Sequence, residues 1–145
     1  METAVVTSAG EIVTRGTATF PTSAGTGVLD AQLAGGIAGL VPCGTTGESP
    51  TLTAAERDRL IELSVAAAAH AGGDARPTVL AGTGTNDTSH SVHLTKEAVQ
   101  LGVDGVLAVT PYYNRPSQAG LTHHFTAVAE AAGDTPVILY DIEVR

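Results

Sequence analysis

Short apolar runs alternate along this chain with stretches of helical periodicity, and the runs end in turn at Pro42, Ala81, Thr110 and Tyr140. The repeat is roughly thirty to forty residues, the size of a strand, a crossover helix and the next strand. A chain built from that unit is confined to a parallel sheet with helices packed on it, because parallel neighbours cannot be joined by a tight turn. The pattern predicts strands near residues 16–20, 39–42, 78–81, 105–110 and 137–140. Composition suits this: 17 glycines, two Phe, three Tyr and no Trp imply many turns and a core of Ala, Val, Leu and Ile.

The intervening helices carry their own punctuation. Thr53-Ala54-Ala55-Glu56 is a capping-box pattern, which predicts a helix over residues 54–70, stopped by Gly72 and Gly73. A second helix is expected over residues 89–101, its apolar stripe following Leu94, Ala98 and Leu101 before Gly102. A third is expected over residues 118–132, with Ser117 as cap, Leu121, Phe125, Val128, Ala129 and Ala132 at helical spacing, and Gly133 beyond. The first unit breaks the rule. Residues 21–36 contain Gly25, Gly27, Gly35 and Gly36 around a short pattern at 28–34. A helix of about two turns fits there, too short to cover its strands well, since parallel strands are normally buried on both faces.

Charge excludes several partners. The net charge is −8 with only seven Lys plus Arg. Nucleic acids and anionic membranes both require clustered positive charge, so neither is expected as a partner. No stretch approaches the ~20 apolar residues of a membrane-spanning helix. The single cysteine, Cys43, cannot form an internal disulfide, and residues 1–12 carry Glu2 and Glu11 without a basic region followed by an apolar run. A cytoplasmic protein that handles small molecules is the expectation.

Ligand sites of parallel β/α proteins lie at the carboxyl ends of the strands. Four segments share that rim: Gly44-Thr45-Thr46-Gly47-Glu48-Ser49, Gly82-Thr83-Gly84-Thr85-Asn86, Thr110 to Pro116, and Tyr140 to Arg145. The first combines two hydroxyls with glycines that admit close backbone approach, a combination able to hold a carboxylate. It lacks the lysine of a phosphate-binding loop, and its plainer reading is a glycine-rich turn. All three tyrosines fall at strand ends, where a phenol suits proton relay; for Tyr112 and Tyr113 interface packing is the alternative. The pairs His90/His93 and His123/His124 lack accompanying carboxylates and read as solvated helix faces rather than a metal site. Cys43 reads as a small buried hydrophobe.

Gly44–Ser49 with Pro50-Thr51-Leu52, then Ala81–Gly84, then residues 109–121 as VTPYYNRPSQAGL and residues 137–140 as VILY follow one another in an order and spacing that resembles dihydrodipicolinate synthases. GTTGE alone marks the wider pyruvate-dependent lyase superfamily, whereas the TPYYNRPSQ segment with its following Gly-Leu is specific to the synthase branch. The resemblance runs from about residue 16 to residue 145. It implies a truncated TIM (β/α)8 barrel of about strands one to five with a shortened first βα unit, after an extension over residues 1–15 expected to be poorly ordered. It also implies lyase chemistry of the class I aldolase type, in which pyruvate condenses with aspartate semialdehyde through a lysine Schiff base in lysine and diaminopimelate biosynthesis, without a cofactor.

By the same resemblance Tyr140 is the proton donor and acceptor, with Thr45 and Tyr113 its partners in a hydroxyl relay. Tyr113 would reach into the neighbouring subunit of a homo-oligomer, and Tyr112 would lie at the oligomer interface. Thr46 would hold the pyruvate carboxylate and Arg145 would attract the second substrate, a task suited to a guanidinium. Departures accompany the matches. No lysine stands at the rim, since the one lysine, Lys96, belongs to the second helix. Glu143 replaces a proline usual in the family. Tyr112 and Asn86 match a regulatory lysine site from which Ala54, Arg57 and His90 depart, so feedback by lysine is not implied. The isolated chain is therefore expected to be inactive, and the alternative reading is a non-catalytic fragment or a self-associating half-barrel.

Overall fold

A computed structural model describes residues 2–6, 12–17, 27–71 and 76–141. The chain opens on an antiparallel ribbon of β1 (Glu2–Val6) and β2 (Ile12–Thr17), with a register shift between Val5 and Val6. Both runs are rich in β-branched residues, which suit a pleated backbone. The strand expected at 16–20 is thus displaced: β2 begins at Ile12 and pairs with β1, and residues 18–20 lie outside the described residues. The extension expected over residues 1–15 contains β1 and the start of β2.

Helix α1 (Gly27–Ala34) has two turns, as the short pattern predicts. It leads to β3 (Gly39–Leu40), α2 (Ala54–His70), β4 (Thr78–Gly82), α3 (Thr88–Gln100), β5 (Gly105–Val109), α4 (Gln118–Ala132) and β6 (Val137–Tyr140). Strands β3 to β6 form one parallel sheet in chain order. Each crossover is a helix of thirteen to seventeen residues. This is a run of consecutive βα units, an open section of a TIM barrel.

Caps set the helix starts. Thr53 N–H donates to Glu56 Oε2 at 2.8 Å while the Thr53 hydroxyl oxygen accepts from the Glu56 amide, which completes the capping box of α2. The Ser117 hydroxyl oxygen accepts from the Gly120 amide at the head of α4. In α3 the cap is Asp87, whose carboxylate accepts from the His90 amide at 3.0 Å, so the helix starts one residue before the position the apolar stripe suggests. Gly102 and Gly133, both at positive φ, stop α3 and α4.

The core lies between the sheet and α2, α3 and α4. Val79, Ala81 and Val106 from the strands meet Ile61, Ala68, Ala98 and Ala132 from the helices, and all are buried. A fully buried Val or Ile side chain contributes about 1.5–3 kcal/mol, so this one layer holds the section together. Leu29 and Leu33 of α1 pack with Ile37 and Leu40 in a separate small cluster, in keeping with so short a helix. At the other edge, Ile138 is 43% and Leu139 59% exposed. An all-apolar strand such as β6 is the kind that parallel sheets bury on both sides, so its exposure marks an open edge.

One side chain departs from the sequence reading. His123 is exposed, but His124 is only 2% exposed, packed edge-on against Phe125 with Nδ1 2.9 Å from the Thr88 hydroxyl. The α4 stripe is wide enough to draw His124 against α3, where a Thr supplies the polar partner. Among the described residues no helix is long and apolar enough to cross a membrane.

Candidate functional site

The carboxyl ends of β3, β4, β5 and β6 surround a cavity of about 610 Å³. Its wall includes Gly44 and Thr45 after β3, Gly84 and Asn86 after β4, Thr110 and Tyr112 after β5, and Tyr140 at the end of β6. The rim anticipated from the sequence therefore brings Thr45, Tyr112 and Tyr140 to one opening.

The threonine turn has an unusual backbone. Residues Thr45–Gly47 form one turn of 3₁₀ helix, closed by the Gly47 amide on the Gly44 carbonyl at 3.0 Å, and Ser49–Thr51 form a second. The turn is bracketed by two non-glycine residues in the left-handed region, Cys43 at φ 58° and Glu48 at φ 53°. Such conformations cost of order 1–3 kcal/mol and persist where the surroundings enforce them. Gly82 is part of that enforcement. A Cβ there would overlap the Cys43 carbonyl oxygen and stand 2.7 Å from its carbonyl carbon, and the Gly82 amide donates to the Pro42 carbonyl at 2.9 Å. Only glycine lets the end of β4 approach the turn this closely.

Arg57, on α2, completes the surroundings. It is 6% exposed; one terminal nitrogen donates to the Ser49 hydroxyl at 2.7 Å and the other to the Gly82 carbonyl at 2.9 Å. In the sequence Arg57 stands out only as a departure from a regulatory site. The signal available was its position one turn into a capped helix directly after the rim turn. Cys43 is buried, as expected; burial pushes its thiol pKa up, and the Arg57 charge offsets this only in part.

On the far side, the Thr110 amide donates to the Tyr140 carbonyl at 2.8 Å, and the single hydroxyl proton of Thr110 has two acceptors in reach, that carbonyl at 3.2 Å and the Asp141 carboxylate at 3.1 Å. Tyr140 itself is 37% exposed. Tyr113 stands apart from the cavity wall: it is 92% exposed and held at φ 70°, in a loop that Asn114 ties to the Asn86 carbonyl at 2.8 Å. Among the described residues no hydrogen bond joins the hydroxyls of Thr45, Tyr113 and Tyr140. The side chain of Thr46 and the whole of Arg145 lie outside what the structure describes. Lys96 is exposed on α3, away from this wall.

Parallel βα units with hydroxyl-bearing turns gathered at the strand ends define a partial β/α barrel whose chemistry belongs to its carboxyl-terminal rim. The chain belongs to the dihydrodipicolinate synthetase family, whose model matches residues 12–145. Among its relatives, the 4-hydroxy-tetrahydrodipicolinate synthase of Methanosarcina mazei is 49% identical over 111 residues, covering 77% of this chain and 35% of the relative. That of Acidiphilium cryptum is 50% identical over 117 residues, covering 81% of this chain and 38% of the relative. The chain thus spans well under half the length of the relatives it matches. Among solved structures, dihydrodipicolinate synthase from Bacillus anthracis superposes with a TM-score of 0.76 at 39% identity, over 98% of this chain and 44% of that one. The chloride-inhibited enzyme from Acinetobacter baumannii, complexed with pyruvate, gives 0.77 at 34% identity over the same shares.

Proposed function

We propose that these residues form the hydroxyl-bearing wall of a pyruvate-condensing lyase site of the 4-hydroxy-tetrahydrodipicolinate synthase type. The observation that carries this reading is the arrival of Thr45 and Tyr140 at one rim cavity in a chain of this family. In the proposed reaction an amine attacks the ketone of pyruvate, water leaves, and the resulting imine loses a proton to become the carbon nucleophile that adds to aspartate semialdehyde. Tyr140 moves protons to and from the reacting centre, passing them through Thr45 and through Tyr113 of a neighbouring copy; the 92% exposure of Tyr113 leaves it available for that contact. Thr46 holds the pyruvate carboxylate, with the amides of its turn, and Arg145 draws in the second carboxylate.

The attacking amine must come from elsewhere than Lys96, which is exposed on an outer helix. We assign it to a part of the barrel that this chain does not span, in line with the greater length of the relatives. The same distribution supports a second reading, a non-catalytic half-barrel that associates through the exposed face of β6. Borohydride reduction in the presence of pyruvate separates them. The chain alone should give no adduct by mass spectrometry. Supplied with the remaining barrel units, as a separate chain or by fusion, it should give one adduct on the added lysine, and Tyr140→Phe should slow turnover by on the order of 10²-fold. A stoichiometric adduct at Lys96, or a complemented enzyme indifferent to Tyr140→Phe, would overturn the assignment.

A further inference from the structure

We infer that Arg57 is a positioning residue: its buried guanidinium ties Ser49, just after the turn carrying Thr45 and Thr46, to the end of β4 and so fixes the geometry of that turn, with the relay hydroxyl of Thr45 and the carboxylate-holding Thr46. The inference rests on the proposed pyruvate site for its functional consequence, but the mechanical part stands on contacts alone.

Three observations converge. First, Arg57 is 6% exposed and its two hydrogen bonds go to Ser49 Oγ at 2.7 Å and Gly82 O at 2.9 Å, both neutral acceptors. Among the described residues no carboxylate pairs with it, although burying a cation without a counter-charge is costly. A buried cation placed this way strengthens each hydrogen bond it makes, because charge-assisted bonds are about twice as strong as neutral ones. Second, the two acceptors lie on different elements. Ser49 opens the second 3₁₀ turn, directly after Glu48, and Gly82 is the last residue of β4. One planar group therefore spans the gap between the turn and the sheet, as the guanidinium fork allows and an ammonium does not. Third, the bridged residue Ser49 directly follows a strained turn. Cys43 and Glu48 occupy the left-handed region on either side of Thr45–Gly47, and neither is a residue that adopts it freely. Without an external tie, the turn would relax.

The test compares wild-type chain with Arg57→Met, Arg57→Lys and Ser49→Ala, reading amide hydrogen exchange residue by residue and pyruvate affinity by NMR titration. Arg57→Met should speed exchange at the Gly47 and Thr51 amides tenfold or more while leaving the interior of α2 unchanged, and should weaken pyruvate binding by about tenfold. Arg57→Lys, able to reach one acceptor but not both, should restore the folded core without restoring exchange protection in the turn. Ser49→Ala should loosen the same amides in part. Unchanged exchange at Gly47 and Thr51 in a folded Arg57→Met would overturn the inference. If that variant does not fold, unchanged exchange in Ser49→Ala does so. Should the wild-type chain show no pyruvate binding while the turn amides respond as described, the proposed function fails and the positioning role stands.

Discussion

Gly82→Ala should disturb the site from behind, and its size can be worked from the contacts. The added methyl would stand 2.7 Å from the Cys43 carbonyl carbon and 3.1 Å from Gly44 Cα. Comfortable carbon contacts are about 3.5–4.0 Å, so the backbone of the turn must retreat by roughly 1 Å. The atoms in the way are main chain, with no flexible side chain to swing aside. Overpacking of this kind costs about 1–3 kcal/mol, and the upper end applies because Cys43 is already in a strained conformation. Alanine recovers about 0.4–1 kcal/mol by restricting the unfolded chain, which leaves a net loss of about 2 kcal/mol. For a chain of this length that lowers the melting midpoint by roughly 4–8 °C, read by circular dichroism at one protein concentration. Gly102→Ala is the control. Its φ is +83° with nothing within 4 Å of the new Cβ, so it should cost a similar 1–2 kcal/mol without touching the rim. Pyruvate affinity should fall in Gly82→Ala and hold in Gly102→Ala. A Gly82→Ala protein that melts within about 1 °C of wild type with unchanged affinity would refute the claim that β4 braces the turn.

Other outcomes follow from single observations. The chain should self-associate, because the exposed Ile138 and Leu139 face leaves an edge strand uncovered; a monodisperse monomer by light scattering, with a cooperative thermal transition, would show that the edge is managed some other way. Cys43 should resist alkylation by iodoacetamide at pH 8 in the folded state and react on addition of denaturant, since burial keeps its thiol protonated and out of reach. Burial, partly opposed by the Asp87 charge and reinforced by His123, lowers the pKa of His124. Its neutral form therefore stabilises the fold fully above the unfolded value near pH 6.5 and that contribution is lost as pH falls through the lower folded value. Unfolding midpoints measured from pH 7 to pH 5 should accordingly fall less steeply in His124→Gln than in wild type, and equal slopes would contradict the assignment.

The parts of the fold that sequence made legible are those fixed locally. Thr53 and Glu56 cap α2, Ser117 caps α4, and Gly102 and Gly133 stop their helices at the residues the pattern marks, because each is satisfied by its own neighbours. What was not legible depends on partners far along the chain. His124 looks like half of a solvated pair until Thr88, thirty-six residues away, is seen beside it. Arg57 stands out in the sequence only as a departure from a regulatory site until Gly82 and Ser49 are seen to receive it. The ribbon of β1 and β2 is hidden but for the end of β2, because its strands pair with each other, outside the repeating unit that makes the other strands visible. Of the rim, the sequence placed Thr45, Tyr112 and Tyr140 correctly at one opening, since strand ends alone decide that.

The two sides of this opening are supported very differently, and the difference bears on what an open barrel section can do. The threonine turn is braced on three sides, by the Arg57 bridge, by the Gly82 contact with Cys43, and by the capped helix that follows it. All of those restraints lie within the described residues. Tyr140 ends a strand whose one sheet neighbour among the described residues is β5; Thr110 fixes its carbonyl but not its phenol, and its side chain is more than a third exposed. Catalysis demands placement within a few tenths of an ångström, whereas holding a carboxylate tolerates more. On the proposed reading, carboxylate recognition is the capacity expected of the section by itself, and proton transfer is the one that waits for a strand to close against β6. That ordering also explains why a half-barrel and an enzyme part are neighbouring readings of the same chain: they differ in whether the uncovered face of β6 meets another copy or the rest of a barrel.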